Sequence, residues 1–282
     1  MTIDKIDFAP LEDSKNAVKL AAKQLFKAKR SQIIMILIFV LVMMALWYGF
    51  KNDVGVVASD FLNASFFCGV AVTVLVIYKA KKIKEIAWRQ FAIANGWHID
   101  PALAFESLIP PTISSSGHSR KPSEVITAEF ENHVCRLLTY EFTVGHGKSS
   151  HTYYFTLAVI NLGEPFPHII LDSKKNFGGI RKIPFGYQDV KLEGDFHTYF
   201  KLFMRPGEHI DVLSIIAPDV MQTLIDANQQ QDIEIYGSNL YFVGINDHRN
   251  PAGMKFLLRS VDKLTDEFVH KAKTLNYKPT TY

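Results

Sequence analysis

Cysteine is almost missing from this sequence: Cys68 and Cys135 are its 2 cysteines in 282 residues. Cys68 falls in an apolar run and Cys135 far downstream, so no disulfide framework holds the chain together, which suits a reducing compartment. Cysteine pairs at metal-ligand spacing are absent, as is any H-E-x-x-H. A structural or catalytic zinc site of the common kinds is therefore excluded. No G-x-S-x-G or Cys–His nucleophile pattern occurs. Internal repeats and a steady β-α-β alternation are also lacking, and the latter argues against a doubly wound sheet. The distal part of the chain has no basic excess. Residues 90–282 hold eighteen Lys/Arg against twenty-one Asp/Glu, net −3, whereas residues 1–89 hold thirteen against seven, net +6. That split leaves the distal part without an electrostatic footprint for nucleic acid.

What is present in the first third is apolar. Ile33–Phe50 and Phe61–Tyr78 are eighteen-residue runs without a charge, near the ~17–25 residues that span a bilayer. The second gains length from the mostly apolar residues that precede it. The expected reading is a transmembrane hairpin over 33–78, with spans at about 33–50 and 57–78. Lys15, Lys19, Lys23, Lys27, Lys29 and Arg30 precede it, and Lys79, Lys81, Lys82 and Lys84 follow it. The connecting loop has Lys51 alone, so both termini are expected on the cytoplasmic side of a cell inner membrane, in a multi-pass protein. The lysines would meet an anionic inner leaflet. Lys15, Lys19, Lys23 and Lys27 recur every four residues across from Val18, Ala21, Ala22 and Leu25. They mark residues 1–32 as a basic amphipathic arm, with Ser14 as the cap of its helix. Ser65, Gly69 and Thr73 form a small-residue stripe suited to helix packing, within the chain or in a homodimer. Residues 79–96 read as a juxtamembrane helix that stops at Asn95-Gly96.

The remainder, 97–282, reads as a cytosolic α+β domain with a mainly antiparallel sheet and flanking helices. Val134–Phe142 and Thr152–Ile160 form the clearest strand pair, since Tyr153, Phe155, Leu157 and Val159 alternate with polar or small neighbours. Further strands are expected at Val125–Phe130, His168–Leu171 and Phe196–Met204. A hairpin Ile233–Tyr236/Leu240–Val243 is expected to turn on Gly237-Ser238-Asn239. Helices are expected within Ser214–Gln230 and after Asn250-Pro251, a cap followed by a first-turn proline.

Candidate chemistry is thin. Gly147-Lys148-Ser149 lacks the first glycine of a phosphate loop, since position 142 is Phe, and a strand follows it rather than a helix. His146 and His151 share a hairpin tip, and His133 and Cys135 share a strand face. Neither pair supplies the three or four ligands that zinc needs. Glu193-Gly194-Asp195 reads as a turn before it reads as an acid–base pair. No cofactor and no metal are expected.

Three blocks resemble a known family. They are Val190-Lys-Leu-Glu-Gly-Asp-Phe-His-Thr-Tyr-Phe200, Ile210-Asp-Val-Leu-Ser-Ile-Ile-Ala-Pro-Asp-Val-Met221 and Asp232-Ile-Glu-Ile-Tyr-Gly-Ser-Asn-Leu-Tyr-Phe-Val243, joined by Phe91-Ala-Ile-Ala-Asn-Gly-Trp97. Together they are similar to a family of bacterial two-span membrane proteins with a cytosolic α+β domain of unknown function. The resemblance implies an inner-membrane location and carries no activity. Where the family has Leu-Thr before its helix start, this chain has Ile216-Ala217. The expected function is a membrane-anchored cytosolic interaction or scaffold module, non-catalytic, whose partners are the bilayer and another membrane protein or a second copy. The alternative is a membrane-bound, hydrolase-like enzyme with its pocket near the 134–160 hairpin.

Overall fold

In the computed structural model the described residues are 3–27, 54–100, 105–130, 133–175, 182–227, 230–245, 249–275 and 277. They divide into two compact units. One is Pro10–Gln90; the other joins Met1–Ala9 to Phe91–Tyr282.

The smaller unit is helical: α1 (Pro10–Lys15), α2 (Ala17–Lys27) and α3 (Val54–Ala94), whose last residues enter the larger unit. Ser14 does not cap a helix that starts at Lys15. Pro10, whose ring presets a helical φ, opens α1 earlier, and Ser14 is buried inside it. On α2 the buried face is Ala17 and Ala21, packed on Ala80 of α3 with Val76 and Ile83 alongside. Val18, expected on the apolar side, is exposed.

Among the described residues no helix is long and apolar enough to cross a membrane. This overturns the expected transmembrane hairpin in the fold, and with it the inner-membrane, multi-pass location. The second expected span, 57–78, is part of the 41-residue α3, which runs unbroken through Lys79, Lys81, Lys82, Lys84 and Arg89. Val70, Val72, Val74, Leu75 and Ile77 are exposed along α3. The first expected span, 33–50, lies outside the described residues.

The larger unit is an α+β fold on one antiparallel sheet of eight strands: β1 (His98–Asp100), β2 (His118–Pro122), β3 (Val125–Phe130), β4 (His133–Val144), β5 (His151–Ser173), β6 (Gln188–Val190), β7 (Phe200–Met204) and β8 (Asp232–Ile245). The expected central pair forms, in register from Cys135 opposite Ile160 to Val144 opposite His151. The 23-residue β5 is the spine. β4 lies along its first half and β7 along its second, and β8 pairs with both halves. Hence Phe155–Ile160 and Phe166–Leu171 are buried without interruption, as for strands covered on both faces.

One face is closed by a 3₁₀ turn, Phe105–Leu108, and the short α4 (Pro111–Ser114). Leu108, Ile109 and Ile113 cover Phe142, Phe155, Leu157, Val159, Tyr241 and Val243. α5 (Phe196–Tyr199), α6 (His209–Ile215), α7 (Pro218–Ala227) and α8 (Pro251–Leu275) complete the unit. α8 packs on β5 and β8 through a stripe that includes Leu257, Val261, Leu264 and Phe268, all buried, and α6 and α7 pack on α8. The Gly253 amide donates to Asn250 Oδ1 at 2.9 Å, the expected cap of α8. The stop of α3 also holds. Gly96 sits at φ +67° and the Trp97 amide returns to the Ala92 carbonyl at 2.9 Å.

Three expectations change. Phe196–Met204 begins as a helical turn and only then becomes β7. The turn brings the Phe196 and Phe200 rings, four residues apart, into a 5.2 Å stack. His168–Leu171 is the end of β5 rather than a separate strand. The hairpin at Gly237-Ser238-Asn239 is a bulge inside one 14-residue strand. Leu240 and Tyr241 pair with Ile160 and Val159, while Ile233 and Ile235 pair with Leu171 and Ile169. The long partner supplies the hydrogen bonds that a hairpin would take from itself. The extra length lies in β5, where Asn161–Ile169 runs opposite the shorter Ile235–Asn239 of β8, and Gly237 turns at φ +59° within this irregularity.

Candidate functional site

The bulge decides which side chains meet. Above it, Tyr241 and Val243 face the Phe105–Ser114 cap. Strict alternation would continue that face through Ile235 and Ile233. The register irregularity around Gly237 instead turns Glu234 toward the cap, the two faces of the strand exchanging across it. Glu234 there accepts from the Thr112 hydroxyl through Oε2 and from the Thr112 amide through Oε1 at 3.4 Å.

His168 of β5 faces the same carboxylate, with Nε2 at 3.0 Å from Glu234 Oε1, and both residues are buried. The Tyr187 hydroxyl lies 2.6 Å from His168 Nδ1, and Arg205 Nε donates to that hydroxyl at 2.9 Å. Arg205 donates to the Tyr187 hydroxyl, and with that hydroxyl donating to His168 Nδ1, Nε2–H donates to Glu234, so one continuous hydrogen-bonded chain joins the four residues. A buried carboxylate thus faces the Arg205 cation through two bridging side chains, which limits the penalty of burying it. Tyr187 is held above the usual phenol range, chiefly by burial, with the Arg205 hydrogen bond opposing. It is a proton donor here, not a phenolate.

The Tyr236 ring packs edge-on against His168 at 4.9 Å, and Tyr236 is 43% exposed. It stands at the rim of an open cleft of about 370 Å³ lined by Glu106, Ser107, Ile109, Pro111, Ser114 and the Tyr236–Asn239 bulge, with Tyr241. The Tyr241 hydroxyl donates to the Ser107 carbonyl at 3.0 Å and accepts from Asn239 Nδ2 at 3.2 Å, while Asn161 Nδ2 donates to Asn239 Oδ1 at 3.2 Å. These bonds pin the bulge to the cap and hold the cleft open.

Burial pushes the Tyr241 phenol up to about 12 and the buried Cys135 thiol from 9.0 to about 12. The unfolded chain releases both protons first, so the stability they lend is whole below about pH 9 and is lost as pH rises toward 12. At pH 11 Tyr241 alone accounts for about 1 kcal/mol. Thermal melts from pH 8 to 11 are expected to show a smaller fall in Tyr241→Phe than in the parent chain; equal falls would refute the assignment.

The other residues singled out by sequence lie elsewhere. Lys15, Lys19 and Lys23 are exposed on α1 and α2; the side chain of Lys27 is not described, and Lys29 and Arg30 lie outside the described residues. Lys81 and Lys82 are exposed and Lys79 and Lys84 half-buried on α3. Gly69 and Thr73 are exposed on α3, the Thr73 hydroxyl donating to the Gly69 carbonyl at 2.8 Å; the side chain of Ser65 is not described. His146 stacks on His118 at 5.0 Å, and His118 Nε2 donates to the Gly145 carbonyl at 2.8 Å. His151 packs on Tyr153 at 4.6 Å. Among the described residues no group of three His, Cys, Asp or Glu could hold a metal ion. Gly147–Ser149 is a 3₁₀ turn, and Gly194 turns at φ +69° between Glu193 and Asp195. The cleft is lined by no residue of 134–160.

Sequence reasoning passed over Glu234, His168, Tyr187, Arg205 and Tyr236. The available signal was a charged residue inside Ile233-Glu234-Ile235 and a histidine opening the apolar Ile169–Leu171, since a polar residue in a core strand needs a partner.

No protein-family model and no curated protein matches the chain. Among solved structures, the crystal structure of the mycobacterial trehalose monomycolate transport factor A is similar to it. The similarity covers 68% of this chain and 96% of that chain, at 9% identity and a TM-score of 0.49.

Proposed function

We propose that this protein is a non-catalytic binding module whose recognition surface is the cleft between the β8 bulge and the Phe105–Ser114 cap. The observation that carries the reading is the lining. Tyr236 and Tyr241 with Ser107, Ser114, Ser238 and Asn239 supply rigid aromatic area and adaptable hydrogen bonds, the chemistry of surfaces built to bind. A reaction would need a nucleophile and a base facing the ligand. The nearest arrangement of that kind, Glu234–His168–Tyr187, is engaged within itself, and its phenol is held protonated.

The test is a thermal-shift screen of the full chain against metal ions, nucleotides, sugars and short peptides. It is run in parallel on Ser238→Trp, which fills the cleft from a half-buried position. A ligand at a hundredfold excess over Kd adds about 2.7 kcal/mol to stability. The expected result is a saturable shift by one chemical class that is lost in Ser238→Trp, with the ligand recovered unchanged. Turnover of the ligand, a shift indifferent to Ser238→Trp, or no shift from any class would each overturn the proposal.

A further inference from the structure

The composition of the cleft points to its ligand. Of its ten lining residues among the described ones none is Lys, Arg or His, and Glu106 is the single charged group among them. A phosphate or carboxylate ligand would find no cation and would meet Glu106 as a like charge. A lipid chain would meet five hydroxyls, an amide and a carboxylate among the ten residues. A polyamine or basic peptide would find one carboxylate where several are needed.

What the lining does match is an uncharged molecule that carries many hydroxyl groups on an otherwise apolar ring. Such a molecule needs acceptors and donors close together and a flat surface for its C–H face. Glu106 is exposed and offers a carboxylate acceptor, and the half-buried Ser238 offers a hydroxyl that both donates and accepts. Asn239 presents a second amide hydrogen besides the one that reaches Tyr241. The flat surface is Tyr236. Its ring is exposed at the rim and meets the His168 ring at 65° with the centroids 4.9 Å apart. A ring held in this way loses little freedom when a ligand stacks on it. His168 is itself held on both nitrogens by Glu234 and Tyr187. The buried chain therefore positions the stacking face, although none of its other members lines the cleft.

We propose that this cleft binds a saccharide, with the Tyr236 ring as the stacking platform and with Glu106, Ser238 and Asn239 as its hydrogen-bonding groups. The inference rests on the reading of the cleft as a recognition site and adds the class of ligand. His168 positions Tyr236 through the ring contact, and Glu234 acts only by holding His168.

The experiment is ligand-detected NMR on the full chain with cellobiose, maltose and N-acetylglucosamine. Inorganic phosphate and putrescine serve as charged controls, and circular dichroism establishes that each variant is folded. Saturation transfer is expected to the ring C–H protons of at least one saccharide. Tyr236→Ala is expected to weaken that binding by about tenfold or more and Tyr236→Phe by less than about threefold, since stacking survives loss of the hydroxyl. Glu106→Gln is expected to fall between the two. Absence of transfer to all three saccharides would overturn the proposal, as would binding that Tyr236→Ala leaves unchanged. Putrescine or phosphate binding lost in Ser238→Trp would overturn the saccharide and leave the cleft as a recognition site. Saccharide binding retained in Ser238→Trp would overturn both.

Discussion

Replacing Glu234 with alanine is expected to destabilise the sheet-bearing unit by about 3–5 kcal/mol, the cost of breaking a buried, compensated ionic arrangement from one side. Glu234 is fully buried, and its carboxylate holds the Thr112 hydroxyl and amide together with His168 Nε2. Alanine leaves these donors facing a cavity. At roughly 2–4 °C per kcal/mol for a unit of this size, the melting temperature should fall by roughly 6–20 °C. Glu234→Gln keeps the shape and an acceptor for Thr112, so it should cost clearly less. Its amide oxygen can take the place of Oε1 toward His168 Nε2 and the Thr112 amide while its NH2 donates to the Thr112 hydroxyl. Denaturant melts of the two variants decide the matter. A Glu234→Ala change within about 0.5 kcal/mol of the parent chain, the range of ordinary surface substitutions, would mean that the network holds nothing.

Phe155→Ala is the second large effect, also about 3–5 kcal/mol, from lost apolar burial and the cavity left behind. Phe155 is fully buried in the first half of β5, stacked on Phe142 at 5.5 Å, and belongs to the cluster closed by Leu108, Ile109 and Ile113. Rigid backbone surrounds it, since β4 and β8 both pair with β5 at this point. The site therefore cannot collapse to fill the hole. Tyr154, its neighbour in sequence, is 45% exposed. Tyr154→Ala should stay within about 0.5 kcal/mol, because alternate residues of a strand point to opposite sides. Equal losses from the two variants would contradict the register given for β5. Because Phe155 belongs to the cluster whose cap also walls the cleft, the same variant should weaken binding there as well as stability.

The strands and helices that could be read from sequence share one property: their signal is local. Alternation over Tyr153–Val159 marks half of β5, and the Asn250-Pro251 pair marks the start of α8. Asn95-Gly96 marks the end of α3. What misled the reading was also local. Gly237-Ser238-Asn239 has the composition of a hairpin turn, and only a 23-residue partner strand makes it a bulge. Phe196–Met204 has strand composition throughout, yet the backbone turn at Asp195 winds its first four residues into helix. The apolar run ending at Tyr78 suggested a span; it belongs to a helix that continues through the charged segment expected to be helical over 79–96.

The site was less legible than the fold. Thr112, His168, Tyr187, Arg205 and Glu234 are scattered over more than a hundred positions, and none belongs to a motif of fixed spacing. The sequence by itself determined the α+β class, the antiparallel pairing of β4 with β5 and the amphipathic last helix. Each follows from periodicities that a strand or helix imposes on its own residues. It also determined that no disulfide framework could hold the fold. Only the tertiary structure decided that β5 and β8 run on as single long strands. Only it decided that the register irregularity around Gly237 turns Glu234 to the face of the cap, and that Tyr236 stands beside His168 at the mouth of a cleft. These outcomes depend on hydrogen bonds and contacts between residues far apart in the chain. Such contacts leave no period in the sequence, and they take hold only when the partner strand is in place.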